Sequence, residues 1–163
     1  MREIPQVFPA FIYYDRPLEH LLKMVPSVCS LNLFTSKNFP AAPDEVGDRK
    51  IDFRLYGFEE KVRSNIVIGQ MRKDDCRPAT LRSLLAFWIF NPTSFWCGHN
   101  TGFWKITALG SLWTPPQEFF EQSPGINFGT LRLDSNQTGM YSEDNDQREF
   151  KEWGTDWLFL AVK

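Results

Sequence analysis

The stretch from Ser83 to Gln117 constrains the fold of this chain more than any other, because Lys105 is its single charged side chain. Residues 87–120 carry ten aromatic side chains. Each large apolar side chain withdrawn from water contributes about 1.5–3 kcal/mol, and a patch of this size left in water is either a binding surface or an aggregation hazard. The stretch therefore reads as core, with a homo-oligomer that covers it as the alternative. Charge elsewhere is uneven: net −2 over residues 1–48, +4 over 49–82, +1 over 83–117, −5 over 118–152 and 0 over 153–163. The whole chain carries a formal charge of −2 over 163 residues, so it offers no general field for a polyanion, and general nucleic-acid binding is not expected.

Length and a hydrophobic content of 42% suit a single domain over residues 1–163, the other division being 1–75 and 76–163. No run of 18 apolar residues occurs, and the opening Met1-Arg2-Glu3-Ile4-Pro5-Gln6 lacks the basic start and apolar run of a signal peptide. The expectation is a cytoplasmic protein with no membrane partner. Cys29, Cys76 and Cys97 are odd in number and far apart, which fits reduced thiols rather than a disulfide framework.

Periodicity predicts an α+β fold: two short amphipathic helices on a mostly antiparallel sheet, with long irregular loops in the C-terminal half. Asp15 precedes Pro17, and Leu18, Leu21, Leu22 and Val25 share one helical face until Pro26. Residues 39–48, rich in proline, alanine and acidic side chains, read as a loop. Ile51, Phe53 and Leu55 alternate with polar neighbours as in a strand, and Ile66-Val67-Ile68 reads as a second one, giving a hairpin over 51–68. Arg77-Pro78-Ala79-Thr80 opens a second helix with Leu81, Leu84, Leu85 and Trp88 on one face, ending at Asn91-Pro92. Phe103–Leu109 and Phe128–Leu133 read as strands. Trp157–Val162, apolar on both faces, reads as a central strand whose truncation the fold would not tolerate.

Several phrases resemble a group of uncharacterised bacterial and phage-associated proteins. They are Tyr14-Asp15-Arg16-Pro17-Leu18-Glu19, Lys73-Asp74-Asp75, the run from Pro78 through Thr80, Arg82 and Ser83 to Phe87, the run from Ala108 to Trp113, and the closing Asp156–Lys163. The closing phrase departs from the group's pattern at Leu158, where an arginine is expected. The C-terminal part, with Gly110-Ser111-Leu112-Trp113, a variable polar middle and a closing apolar strand, is similar to C-type-lectin-like domains of the formylglycine-generating-enzyme kind. That resemblance implies a binding face over residues 111–156.

Candidate chemistry is sparse. Cys97-Gly98-His99 pairs a thiol with an imidazole, as a nucleophilic cysteine requires, but no third residue that would orient the ring is identifiable. Cys76, Cys97, His99 and His20 lack zinc spacing, and Glu143, Asp144 and Asp146 offer oxygens for calcium without an ordered loop, so a solvated acidic turn is the favoured reading and no cofactor is expected. No nucleotide, hydrolase or metalloprotease motif is present. Trp113, Phe119, Phe120, Tyr141 and Trp153, with Arg132 among them, sit amid Pro, Gly, Ser and Asn, a mixture that suits recognition surfaces. The alternative places those aromatics under the loops as core. The expectation is a non-catalytic recognition protein for a small ligand or a partner protein. The rivals are a phage or mobile-element anti-defence protein that blocks a host factor or sequesters a small nucleotide, and a cysteine enzyme using Cys97 and His99.

Overall fold

The computed structural model describes residues 2–25, 34–91, 105–111, 129–133, 138–142 and 152–163. Its main sheet runs in the order β1 (Arg2–Tyr13), β2 (Asp48–Gly57), β9 (Trp157–Val162), β5 (Lys105–Thr107), β6 (Gly129–Leu133) and β7 (Thr138–Ser142). Pairing is antiparallel except between β5 and β9. A short β4 (Arg77–Pro78) also pairs with β9, and β3 (Val62–Arg63) pairs with β8 (Glu152–Trp153) in a separate two-stranded ladder. The helices are α1 (Leu18–Lys23), α2 (Ser64–Lys73) and α3 (Leu81–Phe90). The architecture is α+β.

Strand β9 is central, and every residue in it is buried. Side chains alternate across a strand, so its six apolar residues serve two cores. Leu158, Leu160 and Val162 join α1, α3 and the inner faces of β1 and β2. There the Phe87 ring meets Phe8 and Phe53 edge-on, at centroid distances of 5.4 and 5.6 Å. Trp157, Phe159 and Ala161 join Tyr56, Val67, Met71, Leu109 and Trp153 on the opposite face. One edge of β9 is taken by β2. The other is shared end to end, with β5 beside residues 157–159 and β4 beside residues 161–162.

Local structure departs from the sequence pattern in three places. Ile66-Val67-Ile68 is helical rather than a strand, so the expected hairpin over 51–68 does not form; β2 is flanked by β1 and β9 instead. The β-branched run favours a strand locally, but Val67 and Met71 are fully buried at i, i+4 while Ile66 is 57% exposed, and this packing outweighs propensity. Asp15 does not cap α1: Pro17 occupies the cap position, and Ser36 Oγ accepts from the Leu18 amide at 3.1 Å. Asp15 instead accepts from Gly47 N–H at 2.8 Å, where the backbone turns through φ +70°. The pattern also does not announce β1. Its inner residues Phe8, Ala10 and Ile12 are buried, but outer Val7 and Phe11 are apolar too, and Pro9 interrupts any reading as a strand. As an edge strand β1 tolerates Pro5 and Pro9, which lack a ladder N–H.

The expected second helix is present over Leu81–Phe90 with Thr80 as its cap, while Arg77–Pro78, read as part of its opening, pairs with β9 as β4; residues 81–87 are all buried. The described parts of the Ser83–Gln117 stretch are therefore core, apart from half-exposed Trp88, Ile89, Asn91, Lys105 and Ser111 and exposed Phe90 and Gly110. No described helix is long and apolar enough to cross a membrane. Leu160→Ala is expected to lower unfolding free energy by about 2–5 kcal/mol in denaturant titration, because it empties the middle of the shared strand.

Candidate functional site

Where β4 and β5 meet along the edge of β9, the chain leaves β4 into α3 and leaves β5 into the turn at Gly110-Ser111. The turn lies against the start of α3. Gly110 N–H donates to the Ala79 carbonyl at 2.9 Å, and a Cβ at Gly110 would come within 2.7 Å of the Pro78 and Ala79 carbonyl oxygens. Only glycine permits this approach. It brings Ser111 Oγ to 3.0 Å from the Leu81 amide, which donates to it. Thr80 Oγ1 accepts from the Ser83 amide at 3.3 Å, so two first-turn amides of α3 are satisfied, one by its own cap and one from across the sheet.

The loop before β2 closes over this helix start. Glu45 is a carboxylate only 3% exposed; one oxygen accepts from the Thr80 hydroxyl and the other from Ala42 N–H at 2.9 Å. A buried carboxylate is costly unless hydrogen-bonded, and the positive end of α3 also favours its charge. Ser83 Oγ continues the network, 3.2 Å from Thr80 Oγ1 and 3.5 Å from the Tyr14 hydroxyl. Arg77 Nη2 donates to Tyr14 at 3.4 Å, and its Nε lies 3.6 Å from Asp44 Oδ2. The Glu45 oxygens and the Thr80 hydroxyl are thereby committed to each other and to backbone amides. The set holds structure and offers no unoccupied base.

Between the loop and the turn is a cleft of about 320 Å³, with residues 38–43 on one side and Thr80, Gly110 and Ser111 on the other. Ligand clefts run from about 300 to 1,000 Å³, so this one suits a small ligand or a short segment. No ionisable side chain among the described residues lines it; Phe39, Pro40, Ala41, Ala42 and Pro43 form an apolar wall, and Asn38, Thr80 and Ser111 bring polar atoms.

Among the described residues, none of those picked from sequence as site candidates lines this cleft. Trp153 is 1% exposed in the second core, its indole N–H donating to Ser64 Oγ at 2.8 Å, so it is a core residue and not part of a recognition surface. Arg132 lies on β6 opposite Thr107, and Tyr141 on β7 opposite Thr130. Trp113, Phe119, Phe120, Cys97, His99, Glu143, Asp144 and Asp146 lie outside the described residues. Cys76 is buried in the second core and His20 is exposed on α1, which packs on the other core. No group of three metal-ligating side chains gathers among the described residues. The sequence offers no role for Glu45 or Ser83, and Ser111 enters only as the first residue of the 111–156 face that the lectin-like resemblance implies. The usable signals were Thr80 at a helix start and a Gly-Ser pair after a strand; Glu45 resembles any acidic loop residue.

Comparison of the chain with protein-family models, curated proteins and solved structures gives no match. The Tyr14 hydroxyl lies 3.5 Å from Ser83 Oγ, and Thr80 and Ser111 line one cleft.

A second buried polar group lies outside the cleft. The Tyr56 hydroxyl is buried without a hydrogen-bond partner among the described residues, and burial, with Cys76 and Asp74 nearby, pushes its pKa well above that of an ordinary tyrosine. The folded state holds the neutral phenol more tightly than the unfolded chain does. The resulting stability is present below the unfolded value near pH ~10 and lost as pH rises through the folded value. Tyr56→Phe should flatten that alkaline loss in thermal melts, and near neutral pH it should leave Tm unchanged or raise it. Glu45→Ala should cost about 1–3 kcal/mol in denaturant titration, with Glu45→Gln costing less because it retains an acceptor.

Proposed function

We propose that this protein is a non-catalytic recognition module that receives a small ligand, or a short segment of a partner protein, in the cleft between residues 38–43 and the Gly110-Ser111 turn. The observation that carries this reading is the rigid support of the cleft. Both walls are tied to the start of α3, one through Glu45 and Thr80 and the other through Ser111 and Leu81. Such preorganisation lowers the ordering cost of binding. Supporting it, the polar groups nearest the cleft bear on structure: Glu45 holds the loop and Thr80 caps the helix, which suits recognition better than proton transfer.

The test is a ligand-observed and protein-observed NMR screen of neutral, cationic and anionic small molecules. At least one class is expected to shift the amides of Ala41, Ala42, Gly110 and Ser111 together. Those shifts should vanish in Ala41→Trp, which fills the cleft from an exposed position and leaves the hydrogen-bond frame intact. No coordinated shift with any class, or equal binding by the tryptophan variant, overturns the proposal.

A further inference from the structure

The outer edge of β1 has an uneven pattern of backbone donors and acceptors. Among the described residues β1 ends the main sheet, so it is paired along one edge only, against β2. In an antiparallel ladder the backbone groups of successive residues turn to alternate sides. Asp52 turns toward β9, because its carbonyl accepts from Lys163 N–H at 3.1 Å, so Ile51 and Phe53 turn toward β1. Their partners there are Ala10 and Phe8, and Tyr14 continues the same series, its N–H donating to the Gly47 carbonyl at 3.2 Å. Pro9, Phe11 and Tyr13 therefore present their backbone groups to the outer edge.

Phe11 offers both an N–H and a C=O there. Tyr13 offers only its N–H, because its carbonyl already accepts from Arg16 N–H at 3.2 Å, and Pro9 offers only its C=O, having no N–H. Two copies of this edge laid antiparallel about a two-fold axis at Phe11 match every one of these groups. The Phe11 residues exchange a pair of hydrogen bonds, and each Tyr13 N–H donates to the Pro9 carbonyl of the other copy. The donor that proline lacks falls opposite the acceptor that Arg16 has already taken. Moving the axis to Pro9 instead leaves both proline carbonyls facing a residue with no N–H.

The side chains also suit pairing. From Ile4 to Tyr14 none is charged, whereas lysine is a common guard of exposed edges. Val7 and Phe11 are 45% and 40% exposed, and exposed Met24 and Phe90 line one apolar recess with Phe11 beside the edge. We propose that the outer edge of β1 is a self-association surface whose occupant is a second copy of this chain, paired through β1 across a two-fold axis at Phe11. The two main sheets then become continuous, the contact is isologous, Phe11 packs on its copy and Pro9 on the Tyr13 ring of the other chain. None of these residues lines the cleft, so this surface stands apart from the proposed recognition site.

The experiment is sedimentation equilibrium of the full chain from low to high micromolar concentration. The mass is expected to rise toward that of two chains. Phe11→Lys, which sets two like charges on the axis, should stay at the mass of one chain and melt as the dilute wild type does. Residues in a hydrogen-bonded antiparallel pair have Cα atoms about 5.5 Å apart, within disulfide reach, so Phe11→Cys should cross-link to its own copy on mild oxidation. Peptide mapping should join position 11 to position 11, whereas Val7→Cys, well away from the axis, should not join to itself. A single-chain mass at every concentration, an undiminished dimer of Phe11→Lys, or Val7→Cys cross-linking in preference to Phe11→Cys overturns the proposal. Should Phe11→Lys fail to fold, the wild-type mass and the two cysteine variants decide.

Discussion

The burial of β9 on both faces organises everything else in this molecule. A strand with water on one side asks for a single core, but Trp157–Val162 asks for two, and the chain supplies α1 and α3 on one face and α2 with the β3–β8 ladder on the other. Its edges are equally demanding, since each backbone group there needs a partner. Because β4 and β5 are both too short to line the edge alone, they abut along it, and Ala79 N–H adds a further bond to the Leu160 carbonyl at 2.9 Å. The meeting of α3 with the Gly110 turn follows from that shared edge.

The cleft is thus a by-product of sheet closure that the loop before β2 completes. Its stability depends on one buried charge. Glu45 is tolerated because a hydroxyl, an amide and a helix start converge on it, and the same convergence fixes residues 38–45 in place. A comparable device anchors α1, where Glu19 accepts from both the amide and the hydroxyl of Ser36, at 2.7 and 2.8 Å. These hydrogen bonds hold the Glu19 carboxyl below the usual carboxylate range, the backbone bond from Ser36 contributing most. In both places a loop is held by an acidic side chain working beside a helix start.

Much of this frame was legible in the sequence because period and burial agree. Leu18, Leu21 and Leu22, the face of α3, and the unbroken apolar run of β9 each carry a pattern that their environment enforces. Where local and tertiary preferences conflict, the pattern misleads: Ile66-Val67-Ile68 has strand-forming side chains, yet the second core needs only Val67 and Met71. The cleft was illegible for a different reason. Glu45, Thr80 and Ser111 are separated by 35 and 31 positions, and nothing in their spacing records that a shared strand edge brings them together. Aromatic content gave the wrong cue at Trp153, since an indole among polar residues can satisfy its N–H on a buried serine as readily as at a surface.

The position of β9 in the chain has a bearing on biosynthesis. All the strands it joins precede it, so a nascent polypeptide must hold the β1–β2 pair and the greasy side of α3 in waiting until residues 157–162 have been made. Contacts of such long range slow folding and leave unfinished sheet exposed. Prolines along the outer rim of β1 deny ladder donors to a stray neighbouring strand during that interval, so the oldest part of the sheet is guarded while its keystone is still missing.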